Sequence, residues 1–169
     1  MLMNKKSLLG LGAALVIGGG MISAHAATQV VQVRASVDTS LSVVDLTGAW
    51  SSPIVMAANT AGDALEKKDL VLQFHANDYK DVVVTLQSTP VLTDTVKNKS
   101  IPLSFKVGGT ALAKDTPVTL VKTSLYEVDA QQAITGFKDV NFSIESANVG
   151  NLESGNYSGT FTFDFSLAP

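Results

Sequence analysis

Near the end of the chain the residues alternate with a period of two. Phe161, Phe163, Phe165 and Leu167 fall on one side of an extended backbone, and Thr160, Thr162, Asp164 and Ser166 on the other. A helix would scatter these four apolar side chains around its circumference, so the segment predicts a strand with one buried and one wet face. Near the start a second row has the same period: Val31, Val33, Ala35 and Val37 alternate with Gln32, Arg34, Ser36 and Asp38. Leu70 to Phe74 and Val82 to Leu86 are rich in residues that suit a half-buried sheet, with a turn at Asn77-Asp78 between them. Further strands are expected at Leu103 to Val107, Val118 to Val121 and Phe142 to Ile144.

Turn signals at Thr89-Pro90, Gly108-Gly109, Thr116-Pro117 and Ser154-Gly155-Asn156 divide the chain into short extended pieces. Ala58 to Lys68 reads as a loop or a single helical turn. Several short strands without a long amphipathic helix predict an all-β fold, an antiparallel β-sandwich.

The chain opens with a secretory pattern. Lys5 and Lys6 form a basic start, Leu8 to Ile17 is apolar, and Ala24-His25-Ala26 supplies small residues around a cleavage point. The apolar run is broken by Gly18-Gly19-Gly20 and is shorter than the roughly 20 residues of a spanning helix. Residues 1–26 are therefore expected to be a signal peptide and Ala27 the first residue of a mature, exported chain. The mature part, residues 27–169, has the size of one domain.

The 169-residue chain carries a formal net charge of −3, and losing the two signal lysines makes the mature part more acidic still. That disfavours nucleic acid as a partner. There is no cysteine, although an oxidising compartment would permit disulfides, so stability must come from packing and strand pairing. Beyond the signal the only histidine is His75, which excludes a catalytic triad or a histidine-rich metal site; a thiol nucleophile and a zinc–thiolate site are excluded too. No cofactor is implied.

His75 is expected to be a strand-end residue satisfied by hydrogen bonds rather than a general base, which would need a positioned partner. Asp63, Glu66, Asp69, Asp78 and Asp81 read as a solvated acidic edge rather than paired catalytic carboxylates. Gly108-Gly109 lacks the length and lysine of a phosphate loop and is better read as a hairpin turn. Trp50, Tyr79, Tyr126 and Tyr157 are candidates for a sugar-stacking platform, the basis of an alternative reading as a secreted, monomeric carbohydrate-binding sandwich.

Taken in order, several short segments resemble the major subunits of class 5 fimbriae, the colonisation-factor type of the alternate chaperone–usher pathway. They are Ala35-Ser36-Val37-Asp38, Phe74-His75-Ala76-Asn77-Asp78, Thr89-Pro90-Val91-Leu92-Thr93-Asp94, Ile101-Pro102-Leu103-Ser104 leading to Gly108-Gly109, and Gly155-Asn156-Tyr157-Ser158-Gly159. Thr39 stands where that family tends to have proline.

The resemblance implies an immunoglobulin-like sandwich that lacks its final strand and is completed by a donor strand from a neighbouring subunit. It divides the mature chain into a donor strand, residues 27–39, and a pilin domain, residues 40–169. Donor residues Val31, Val33, Ala35 and Val37 are expected to fill a groove lined by Phe161, Phe163, Phe165 and Leu167. The implied partners are identical subunits, a periplasmic chaperone, an outer-membrane usher and a tip adhesin, and the implied location is a fimbria at the cell surface. No host receptor is indicated.

Overall fold

The structure, a computed structural model, describes residues 29–37 and 40–169, the side chains of residues 36 and 37 excepted. The expected signal peptide, the side chain of Val37 and the Thr39 exit lie outside the described residues. Among the described residues thirteen strands succeed one another: β1 (Gln29–Val37), β2 (Leu41–Asp45), β3 (Ile54–Met56), β4 (Lys68–Ala76), β5 (Val82–Leu86), β6 (Val91–Asp94), β7 (Lys99–Val107), β8 (Thr110–Leu112), β9 (Val118–Leu120), β10 (Tyr126–Val128), β11 (Ile134–Phe137), β12 (Val140–Ser146) and β13 (Ser158–Leu167). Among the described residues there is no α-helix, only two 3₁₀ turns at Ala49–Ser51 and Lys122–Ser124.

The main path of the sheet runs β2-β4-β12-β7-β6-β13-β1-β3 and curls into two facing layers. Strand β7 makes the corner. Its first residues pair with β6, Ile101 with Leu92 and Pro102 with Val91, whereas Leu103 to Val107 pair with β12. Pro102 sits where the strand changes layer, at the end of the β12 pairing, so its missing N–H falls at a ladder end rather than within it. Its carbonyl is not wasted, because it accepts from the Ala147 N–H.

The alternating phenylalanines form the core between the layers. Phe74, Phe105 and Phe142 come from one layer and Phe161, Phe163 and Phe165 from the other, and all six are buried. Ring centroids of Phe105 and Phe161 lie 4.9 Å apart, those of Phe105 and Phe163 5.1 Å, and those of Phe142 and Phe163 5.3 Å. Such tilted and edge-on contacts are favoured by the ring quadrupole and hold the layers in register.

Local details reflect the residue chemistry. Gly108 and Gly109 have φ of +54° and +82° and close a two-residue hairpin in which Val107 pairs with Thr110, a turn that requires positive φ at both positions. Ala58 to Lys68 forms a loop rather than a helical turn. It is pinched by a bridge between Ala58 and Leu65, and the Asn59 amide is bonded to Asp63 inside it. The Asn77-Asp78 turn joins β4 to β5, yet these strands pair with different partners in opposite layers: β4 with β2 and β12, β5 with β13 and β9.

The strand expected at Leu103 to Val107 begins earlier, at Lys99, because its first part serves the other layer. Val121 falls outside β9 and is exposed.

Truncation at the centre of the ring stack tests this architecture. Phe163→Ala should cost about 3–5 kcal/mol in urea unfolding. Val96→Ala, at the most exposed valine, should stay within about 0.5 kcal/mol of wild type.

Candidate functional site along the last strand

Strand β13 has two edges to satisfy. On one side β5 pairs antiparallel with Phe163 to Leu167, and Thr162 continues the contact by donating its N–H to Ser88 Oγ at 2.8 Å. On the other side the partner is β1, which runs parallel from Val30 opposite Ser158 to Val37 opposite Phe165. Among the described residues no other strand pairs with β13 on that side; the single β6 contact, Ser158 with Thr93, lies on the opposite side, beyond β5. Without β1 the edge of β13 and the core behind it would be open to solvent.

The expected donor row therefore lies beside the expected groove residues, within one chain. Val31 pairs opposite Gly159, Val33 opposite Phe161 and Ala35 opposite Phe163. Burial is uneven along the row: Val31 is completely buried, Val33 packs partly against the core, and Ala35 is exposed. Phe161, Phe163 and Phe165 are buried, whereas Leu167 is half-buried at the strand's end.

The uneven depth comes from what flanks β1. At its start β3 pairs with Gln29 to Val31 and closes the far side. Farther along, β1 borders a cleft of roughly 420 Å³ lined by Gln32, Val33, Arg34, Trp50, Ser51 and Pro53 among others. The sequence pattern did not place Gln29 in the inward row, yet it is fully buried.

Two carboxylates shape the surroundings. Asp45 accepts from the Trp50 N–H at 2.9 Å and sets Trp50 edge-on to Phe142, with ring centroids 5.8 Å apart. Burial acts to raise the Asp45 pKa. Hydrogen bonds from the Thr47 side chain and from the backbone of Trp50, Thr47 and Ala49 outweigh it and hold the carboxyl below its ordinary range.

Asp94, at the end of β6, accepts from the N–H groups of Val96, Lys97 and Asn156 and so ties the β6–β7 turn to the segment leading into β13. The Lys97 and Asn156 bonds are the main reason its carboxyl lies below the ordinary range.

The glycines of that segment have no room for a side chain. A Cβ on Gly155 would lie 2.6 Å from Asp94 Oδ2, and one on Gly159 2.8 Å from the Phe161 ring. Between them Tyr157 is buried, and its carbonyl accepts from the Val30 N–H at 3.1 Å. The Gly155-to-Gly159 segment thus receives the start of β1.

Over residues 27–166 the chain matches the family of CS1 type fimbrial major subunits. The chain belongs to that family. It is a structural subunit of a fimbrial shaft. Among solved structures it is similar to the CooA pilin subunit from enterotoxigenic Escherichia coli, with 16% sequence identity and a TM-score of 0.53. That match covers 77% of this chain and 99% of the other, and at such identity it speaks for a shared fold. No curated protein matches it in sequence.

The remaining candidate residues of this fimbrial subunit are dispersed. His75 stacks on Phe137, ring centroids 3.9 Å apart, and its Nε2 lies 3.1 Å from Gln73 Oε1. Trp50 packs on Phe142 and Phe165, Tyr79 on Tyr126, and Tyr157 bonds the Glu153 carbonyl, so the four rings do not form one platform. Asp63 bonds Asn59 and Asn148, Asp69 pairs with Lys67, and Asp81 accepts from the Lys122 N–H.

A carboxylate with a depressed pKa stabilises the fold above its unfolded value, and the benefit disappears as pH falls through its folded value. Asp94 should therefore support the fold fully at neutral pH and lose that support below about pH 4. Asp94→Asn should lower the unfolding temperature at pH 7 but bring the variant close to wild type near pH 2–3, measured by circular dichroism.

Proposed function

We propose that this shaft subunit polymerises by strand donation, residues 27–39 of each copy filling the groove along β13 of the next. The observation that carries the reading is the dependence of β13 on β1. The edge from Ser158 to Phe165 is completed by a strand that precedes the sandwich and is joined to it by a short connection. A strand attached in this way is separable from the domain it completes.

Each fully buried valine contributes about 1.5–3 kcal/mol, and each ladder hydrogen bond about 0.5–1.5 net. A strand that supplies Val31, part of Val33 and a row of backbone bonds is therefore worth a large share of a small domain's stability. A subunit stripped of it would expose an unpaired edge and aggregate. This is the physical need that a periplasmic chaperone would meet before an outer-membrane usher hands the subunit to the growing shaft, with an adhesin at the tip.

Export by a signal peptide spanning residues 1–26 is part of the same reading. It is supported by the basic and apolar start and by the beginning of the family match at residue 27.

The burial pattern selects the sharpest substitution. Val31→Asp places an unpaired carboxylate at a fully buried position and should abolish filaments, with Val33→Asp close behind. Gln32→Asp, on the exposed face, should assemble normally in electron micrographs. Moving residues 28–38 to a position after Pro169, through a flexible linker, should yield a soluble, heat-resistant monomer that no longer polymerises. Equal filament yields from Val31→Asp and Gln32→Asp would refute the reading.

A further inference from the structure

The N-terminal strand occupies the groove of its own chain, and the direction in which it lies there is imposed by its tether. Residues 38–40 alone separate β1 from β2, whose Leu41 pairs with Ala76 of β4. The short Asn77–Asp81 connection leads from Ala76 to Val82, which pairs with Leu167 at the end of β13. Val37 must therefore stay near that end of the sandwich, and it does so opposite Phe165.

An antiparallel strand would instead put Val37 near Ser158, roughly 23 Å farther along β13 at about 3.3 Å per residue. A three-residue link spans at most about 14 Å. Within one chain only the parallel arrangement is reachable, whereas a strand arriving from another chain is under no such restriction.

The parallel arrangement carries a defect. Gln29 shares the face of Val31 and Val33, and here it lies where β3 pairs with β1, opposite Met56, completely buried with no hydrogen-bond partner for Oε1 or Nε2. A buried amide without partners is a substantial penalty, and an apolar residue at the same place would avoid it. At the opposite end Ala35 is exposed. The strand is thus held by Val31 and by backbone pairing while one of its core positions works against it.

We propose that the isolated subunit stores its donor strand in its own groove as a latch that must open before assembly, and that buried Gln29 keeps the latch weak. This rests on the reading of β1 as the donor strand. A latched subunit protects its β13 edge without a partner, and the Gln29 penalty biases it toward release.

The absence of native cysteine makes a direct test simple. Arg34 and Thr162 are paired across β1 and β13, and strands at normal spacing meet the Cα separation of a disulfide. In residues 27–169 carrying Arg34→Cys and Thr162→Cys, oxidation should give an intramolecular disulfide. The oxidised monomer should stay monomeric by light scattering, and a reductant should restore polymerisation. Disulfides formed solely between chains, or none at all, would overturn the latch and leave strand donation standing. An oxidised monomer that polymerises as fast as the reduced one would instead sink strand donation itself.

Separately, Gln29→Leu should raise the urea midpoint of the monomer and slow its conversion to polymer on the order of ten-fold. An unchanged midpoint or an equal conversion rate would remove Gln29 from the mechanism.

Discussion

The open edge of β13 is the constraint on which the rest of the structure depends. A strand that contributes Phe161, Phe163 and Phe165 to the core cannot leave one side of its backbone unpaired without exposing that core. One side is satisfied by antiparallel pairing with β5, and the other by parallel pairing with β1. Several otherwise unrelated features serve this edge. Asp94 fixes the approach to β13, Gly155 and Gly159 allow close contact there, and the Tyr157 carbonyl accepts from the Val30 N–H near the start of β1.

Stability elsewhere comes from interleaved aromatic rings rather than from covalent links. With no cysteine to staple the layers, the six buried phenylalanines and the layer-changing strand β7 join them. Trp50, seated by Asp45 over Phe142 and Phe165, caps the stack close to the β1 cleft. A fimbrial subunit built this way has a sandwich packed throughout by aromatic rings and, among the described residues, one edge of β13 closed by β1 alone. That combination is what the proposed strand donation would use.

Much of the fold was legible from side-chain periodicity. The Val82 to Leu86 strand appears where its β-favouring residues place it and the C-terminal strand where alternation does, and the Gly108-Gly109 turn has the positive φ angles its chemistry demands. Short strands were harder to read. β3 and β8 have three residues each, too few to show a period, and β10 and β11 form a small separate hairpin in a region of weak patterning. The layer change inside β7 was also hidden, because alternation continues unbroken through Ile101, Leu103, Phe105 and Val107.

Sequence alone determined that the chain is an extended, cysteine-free β protein with apolar rows at both ends, because a period of two survives without knowledge of any neighbour. It could not determine how deeply each residue of the first row is buried. That depth depends on β3 closing over Gln29 and Val31 while Ala35 remains uncovered. Nor could it give the direction of β1 along β13, since alternation reads the same both ways. The tertiary structure decided both, because burial and strand direction depend on what lies beside a segment and on how short a tether holds it there.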